Sequence, residues 1–381
     1  MSEPILEAKD VVYSYSKKGP KVLDNMSLKI GKGVKTALLG ANGAGKSTLF
    51  SVLNALYKPE KGEVFYKGAP LSYKHKGIIK MRSEVSILFQ NPNDMMFKPY
   101  VEQDVAFGPE NLKLPKDEVE KRVEEALLAV GMEGFRKTPI MKLSYGQRKR
   151  VTLAGVLAMK PSVLIMDEPT AGLDSQMAYE VMEIAEQLHS SGVTVIMSSH
   201  DTDLTYSWAD EIHVLRGGKC IYSGEPEPFY SDLDLVQSAG LLQPTVFMMN
   251  DALSELDNHP KMPYPRTQTQ MSVKTIAAGD QKFGTLNIMA IEEDKSLLEA
   301  IEATGLGDLP KGIYGLSARK MAKAEGFEAD FMYNGPENCT MECLDGKDSL
   351  LICDTLVVDK ARSSAEYINS NGYGKIDIRI L

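Results

Sequence analysis

The nine residues GANGAGKST, Gly40 to Thr48, constrain this chain more than any other stretch. They follow the apolar run KTALLG and precede the helix-like LFSVLNALY, so the expected local architecture is strand, glycine-rich loop, helix. Glycines at Gly40, Gly43 and Gly45 let the backbone wrap a phosphate chain. The amides of Ala41, Asn42 and Ala44 would point inward with theirs. Lys46 would reach the terminal phosphates, the Ser47 hydroxyl would ligate Mg²⁺, and Thr48 opens the helix beside them. Such a loop binds ATP or GTP.

A loop of this kind needs a core, and 381 residues with 43% hydrophobic and 25% charged side chains supply enough for two domains. A net charge of −9 argues against nucleic acid as a partner, because phosphate backbones need a basic face. The run Arg148-Lys149-Arg150 is a candidate for a local basic patch, although short charge runs on helices usually read as a solvated face. The start MSEPILEAKD shows no signal peptide, and no run of 18 apolar residues suggests a membrane span. Four scattered cysteines fit a reduced, cytoplasmic setting. Cys339, Cys343 and Cys353 are a weak metal candidate, since zinc sites usually show two tight ligand pairs.

Two further strand ends carry chemistry. PSVLIMDEPT puts Asp167 and Glu168 at the end of an apolar run, where buried carboxylates are costly without a cation or a proton to serve. Asp167 fits a Mg²⁺ ligand and Glu168 a base for attacking water. TVIMSS leads to His200 in the same way. Elsewhere, DEVEKRVEEALLAVG spaces Val119, Val123, Ala126, Leu127 and Val130 as a packed helix face, and EIHVLRGGKCIYSGE reads as a hairpin turning at Gly217-Gly218.

With LSYGQ, Leu143 to Gln147, the sequence resembles the ATP-binding cassette (ABC) ATPases, whose signature motif is normally LSGGQ. Gln90 stands where the Q-loop glutamine belongs, and AGLDS resembles the D-loop, with Asp174 its aspartate. His200 corresponds to the switch histidine, and Tyr15 to the aromatic that stacks on adenine. The resemblance spans residues 5 to about 225 and implies an α/β P-loop NTPase cassette domain with a helical subdomain. It further implies a head-to-tail dimer with a second ABC ATPase subunit, in which Ser144, Gly146 and Gln147 of one copy complete the ATP site of the other. Gln90 would sense Mg²⁺ and the attacking water. Tyr145 departs from the family's glycine and is expected to point away from the partner's nucleotide.

The run FQNPNDMMFKPYVEQDVAFGPENLKLP resembles the energy-coupling-factor subgroup, which takes up cobalt, nickel or vitamins, and the cobalt-uptake type is the best match. That resemblance implies a peripheral subunit on the cytoplasmic face of the membrane. Its partners would be an integral membrane coupling subunit and a substrate-specific membrane subunit. Met95, Met96 and Phe97 then form either a docking tip for the membrane partner or a plug into the chain's own helical subdomain. A soluble, non-transport ABC ATPase is the alternative.

The expected division is a cassette domain over 1–245, a proline-rich linker over 246–270 and a second small α/β domain over 271–381. The last, of about five strands including EADFMYN, would be regulatory or a dimerisation module. Its ligands would sit near Glu292, Ser317, Asn334 or Asp354.

Overall fold

The computed structural model describes residues 3–257, 260–275, 282–291 and 296–381. They fall into two compact units, one of residues 1–178 and 192–243, the other of 179–191 and 244–381.

The first unit carries β1 (Pro4–Tyr13), β2 (Leu23–Gly31), β3 (Thr36–Leu39), β4 (Lys61–Tyr66) and β5 (Ala69–Pro70). It continues with β6 (Val85–Leu88), β7 (Val163–Asp167), β8 (Thr194–Ser198), β9 (Glu211–Arg216) and β10 (Lys219–Gly224). An antiparallel sheet runs β2-β1-β4-β5, and a six-stranded sheet runs β10-β9-β3-β8-β7-β6. In the latter β9, β3, β8, β7 and β6 are parallel, and β10 closes the hairpin at Gly217-Gly218. Every residue of β7 and β8 is buried, as expected of parallel strands covered on both faces. The helix Lys46–Leu53 sinks Leu49, Phe50, Val52 and Leu53 into a core reached by β1, β2, β3, β7 and β8. Three helices, Val101–Asn111, Lys116–Ala129 and Tyr145–Leu157, pack on one another as a helical subdomain. Val123, Ala126, Leu127 and Val130 are buried there as the sequence period requires, while Val119 at the start of that face is half-buried.

The sheet order decides where the chemistry goes. β3, β8 and β7 are neighbours and parallel, so their carboxyl ends lie along one edge. The glycine-rich loop, His200 and the Asp167-Glu168 pair all emerge from that edge.

The second unit has β11 (Thr285–Ile291), β12 (Lys311–Tyr314), β13 (Ser349–Asp354) and β14 (Asp377–Ile380), all parallel in the order β12-β13-β11-β14. Helices Leu297–Thr304 and Leu316–Ala324 bury Leu297, Ile301, Ala318 and Ala322 with Met289, Ile313 and Ile352. Helices Gly335–Leu344 and Val358–Ser370 bury Cys339, Leu344, Ala361 and Ile368 with Leu286, Ile288 and Leu351.

Two expectations need correcting here. EADFMYN makes only a single bridge, Phe331 to Gly312. Asp330 is spent capping the Lys311 N–H, and Asn334 turns at φ 54° into the next helix, so no strand can extend. The stretch 246–270 contains the helix Thr245–Asp257 and the start of Gln268–Thr275, so only its proline-rich middle is an extended connector. Lys274 donates to Asn250 Oδ1 at 2.7 Å and to the Lys261 and Pro260 carbonyls at 2.8 and 3.1 Å, tying that middle to both helices. Finally, Cys339, Cys343 and Cys353 are core residues. Burial pushes their thiols up to about 12, 11 and 12. Among the described residues no group of three or more His, Cys, Asp or Glu could hold a metal by itself. Glu292 lies outside the described residues.

Candidate active site at the carboxyl edge of the parallel sheet

The loop Gly40–Gly45 takes backbone conformations that side chains resist. Gly40, Gly43 and Gly45 have φ of 142°, 79° and 104°, and a Cβ at Gly40 would stand 2.3 Å from the Leu215 carbonyl oxygen. Ala41, Asn42 and Gly43 are exposed while Ala44, Gly45 and Lys46 are buried, a cradle with an open rim. Lys46 Nζ donates to the Gly40 carbonyl at 2.7 Å and to Ala41 at 3.5 Å, folding over the loop from the helix it begins. Burial lowers its pKa, and the charges of Glu168 and Asp167 oppose that shift. Ser47 is exposed at the loop's rim. Thr48 Oγ1 pairs with the Tyr15 hydroxyl at 2.8 Å. The Tyr15 ring is exposed and meets Tyr13 and Tyr57 edge-on.

One strand over, Asp167 is buried and accepts from Ser198 Oγ of β8 at 2.5 Å. Glu168 follows at φ 48°, a conformation disfavoured for a side-chain-bearing residue. That turn carries its carboxylate out of the strand line to His200, Oε2 to Nδ1 at 2.9 Å. The Glu168 N–H in turn donates to Ser198 O and Oγ at 3.2 and 3.1 Å. Glu168 is 7% exposed while the His200 side chain is 70% exposed, so the pair links a sequestered carboxylate to an accessible imidazole.

Gln90 is held by its backbone. Its carbonyl accepts from Lys149 Nζ at 3.1 Å and from the Tyr145 hydroxyl at 3.4 Å, which leaves the exposed amide side chain to act on its own. Lys149 Nζ also donates to the Glu168 carbonyl at 3.1 Å. It is 1% exposed, and burial brings its pKa down to about 8. This corrects the reading of Arg148-Lys149-Arg150 as solvated, since its middle residue bridges the glutamine and the carboxylate segment. The helix register could have revealed it. Lys149 stands four residues before Leu153 and three before Thr152, both buried, on a helix whose start is marked by its cap.

That cap is Ser144. Its hydroxyl accepts from the Gln147 N–H at 3.2 Å, while the Gln147 side chain accepts from the Ser144 N–H at 2.9 Å. These bonds run within the signature segment itself. Gly146 lies against Met177, where a Cβ would stand 2.4 Å from the sulfur. Tyr145 turns to the chain's own Gln90 carbonyl and to Gly172, whose added Cβ would stand 3.1 Å from the tyrosine ring. Asp174 accepts from the Met177 N–H at 2.8 Å, capping the helix Ser175–Ser190.

The apolar tip divides. Met95 turns inward, its sulfur accepting from the Phe89 N–H at 3.2 Å, whereas Phe97 is 65% exposed against Phe107 at 5.2 Å. Buried Asp104 accepts from the N–H groups of Phe97 and Lys98 at 2.7 and 2.9 Å, fixing the loop that presents the ring.

The ABC transporter family matches residues 23–171. The energy-coupling factor transporter ATP-binding protein EcfA of Methanocaldococcus jannaschii is 48% identical over 256 residues, 67% of this chain and 91% of that protein. EcfA2 of Methanospirillum hungatei is 36% identical over 387 residues, 100% of this chain and 97% of that protein, so the match includes the C-terminal region. The solved structure of cbiO1 from Clostridium perfringens, described as part of the ABC transporter complex cbiONQ, matches with a TM-score of 0.56 at 37% identity. That match covers 68% of this chain and 97% of the other. The chain belongs to the ABC transporter ATPases and, within them, to the energy-coupling factor transporter ATP-binding proteins.

Proposed function

We propose that the chain hydrolyses ATP to energise an energy-coupling-factor importer, with cobalt as cargo ahead of nickel or a vitamin. The single observation that carries the reading is the meeting of the Lys46 loop, Asp167-Glu168 and His200 at one sheet edge. The open cradle around Gly40–Gly45 fits a phosphate chain, because Gly40 and Gly45 allow a tight wrap that leaves Ala41, Asn42 and Gly43 exposed at the rim. Ser47, Asp167 and Gln90 present a hydroxyl, a carboxylate and an amide, the oxygen donors that suit Mg²⁺. When bound, Mg²⁺ would neutralise charge on the terminal phosphates. Glu168 takes the proton of the attacking water, and His200, hydrogen-bonded to it, orients that carboxylate. Tyr15 offers an exposed ring for stacking on adenine.

Support for the partners comes from family membership and from surfaces left open. Ser144 and Gln147 bond within their own helix cap, and with Gly146 they are proposed to serve the nucleotide of a second ATPase subunit. Phe97 is proposed as the contact to an integral membrane coupling subunit, which would carry a substrate-specific membrane subunit with it. Among the described residues no helix is long and apolar enough to cross a membrane, and a peripheral place on the cytoplasmic face is part of the proposal.

The experiment is reconstitution with membrane coupling and substrate subunits of this type, with ATP-driven cobalt uptake measured in vesicles. Uptake that needs ATP and disappears in Phe97→Ala supports the reading. A complex that assembles and transports normally in Phe97→Ala removes the docking role of this ring.

A further inference from the structure

The carboxyl ends of β12 and β13 are where a doubly wound sheet normally receives a ligand, and here the position is filled by the chain itself. The helix Leu316–Ala324 starts just beyond β12, and N–H groups at its start donate to carboxylates. Ser317 and Ala318 donate to the Asp354 carboxylate at 3.0 and 2.7 Å, and Gly315 donates to Glu183 at 3.3 Å. Gly315 has φ 103°, and a Cβ there would stand 2.5 Å from the Asp354 carboxyl carbon, so the approach admits only glycine. Glu183 also pairs with Arg319 at 2.6 Å, the ion pair lying almost wholly out of solvent. The Arg319 guanidinium lies over the Tyr333 ring at 4.6 Å, and Tyr333 meets Tyr179 edge-on at 6.0 Å. Gln187 donates to Asp354. Tyr179, Glu183 and Gln187 recur every four residues and so form one stripe of the helix Ser175–Ser190.

That helix is continuous, and its other end matters. Asp174 caps it, and six residues before that cap stands Glu168, joined to it by a tight turn in which Ala171 N–H donates to Glu168 O and Leu173 N–H to Thr170 O. One helix, its cap and a short turn thus join the gripped stripe to Glu168 along the chain. We propose that the C-terminal domain binds the helix Ser175–Ser190 in its strand-end crevice as an internal ligand and thereby positions Glu168 for hydrolysis. The proposal rests on the reading of Glu168 as the base. Glu183, Gln187, Arg319 and Asp354 are positioning residues and touch no substrate.

The test uses the full chain and two variants. Gln187→Glu keeps the side-chain size but sets a second carboxylate beside Asp354, and Arg319→Ala removes the partner of Glu183. Amide exchange over 179–188 and 315–319 reads the grip, and ATP turnover reads its consequence. Both variants should exchange faster in those segments and lose about tenfold in kcat, with KM for ATP within about twofold, because the loop carrying Lys46 is untouched. Faster exchange with unchanged kcat overturns the coupling, and unchanged exchange in both variants overturns the grip. A wild-type chain without ATP turnover defeats the functional reading instead, while the exchange arm still reports on the crevice.

Discussion

Lys149 shows how much a single buried cation can organise. One ammonium donates to the carbonyls of Gln90 and Glu168, which belong to segments 78 residues apart in sequence. Replacing it by methionine keeps the volume but leaves two inward-facing carbonyls without that donor. The expected cost is about 1–3 kcal/mol of stability, together with lower kcat, and chemical denaturation of Lys149→Met checks the first. A variant as stable as wild type would mean that these carbonyls find other donors. Lys46 gives the sharper functional contrast. Lys46→Ala should weaken ATP binding severely, since the loop keeps its glycines but loses its cation, and a fluorescent ATP analogue measures this directly.

At the scale of elements, β9 carries a titratable group deep in the sheet. His213 accepts or donates at Nδ1 to Ser223 Oγ of β10 at 2.8 Å, and burial lowers its pKa from 6.5 to about 4. A folded-state pKa depressed in this way means the unfolded chain binds the proton first. Stability is therefore complete above pH 6.5 and falls as pH drops toward 4, by on the order of 2–3 kcal/mol. Thermal melts of wild type and His213→Gln between pH 7 and 4 check this, with the variant expected to show the flatter profile. β3, β7 and β8 are legible in sequence because each is a short apolar run leading to the glycine-rich loop, Asp167-Glu168 or His200. EADFMYN misled because its composition suits a strand, whereas Asp330 and Asn334 at its margins are used for a cap and a left-handed turn. The methionine tip was read as a unit, yet Met95 turns inward and Phe97 outward, a division that depends on where Asp104 folds back. Lys149 was missed because charge on a helix argues for exposure until the partners across space are known.

For the whole molecule, the helix Ser175–Ser190 changes the meaning of the C-terminal region. Sequence alone suggested a second small domain set apart by a proline-rich linker. Tyr179, Glu183 and Gln187 belong to the same compact unit as residues 244–381, so truncation before 244 strips the partners of a buried carboxylate. A chain of residues 1–243 should melt well below the full chain, and calorimetry of the two decides the matter. Equal melting temperatures would show that the helix needs nothing from the C-terminal domain.

The central claim is that the carboxyl edge of the parallel sheet hydrolyses ATP with Glu168 as base. Phosphate release from Mg²⁺-ATP by the full chain and by Glu168→Gln, with ATP affinity measured alongside, tests it most directly. The variant should bind ATP as wild type does and turn it over about 10²–10⁴-fold more slowly, the usual worth of a general base. Wild-type turnover in Glu168→Gln would contradict the account.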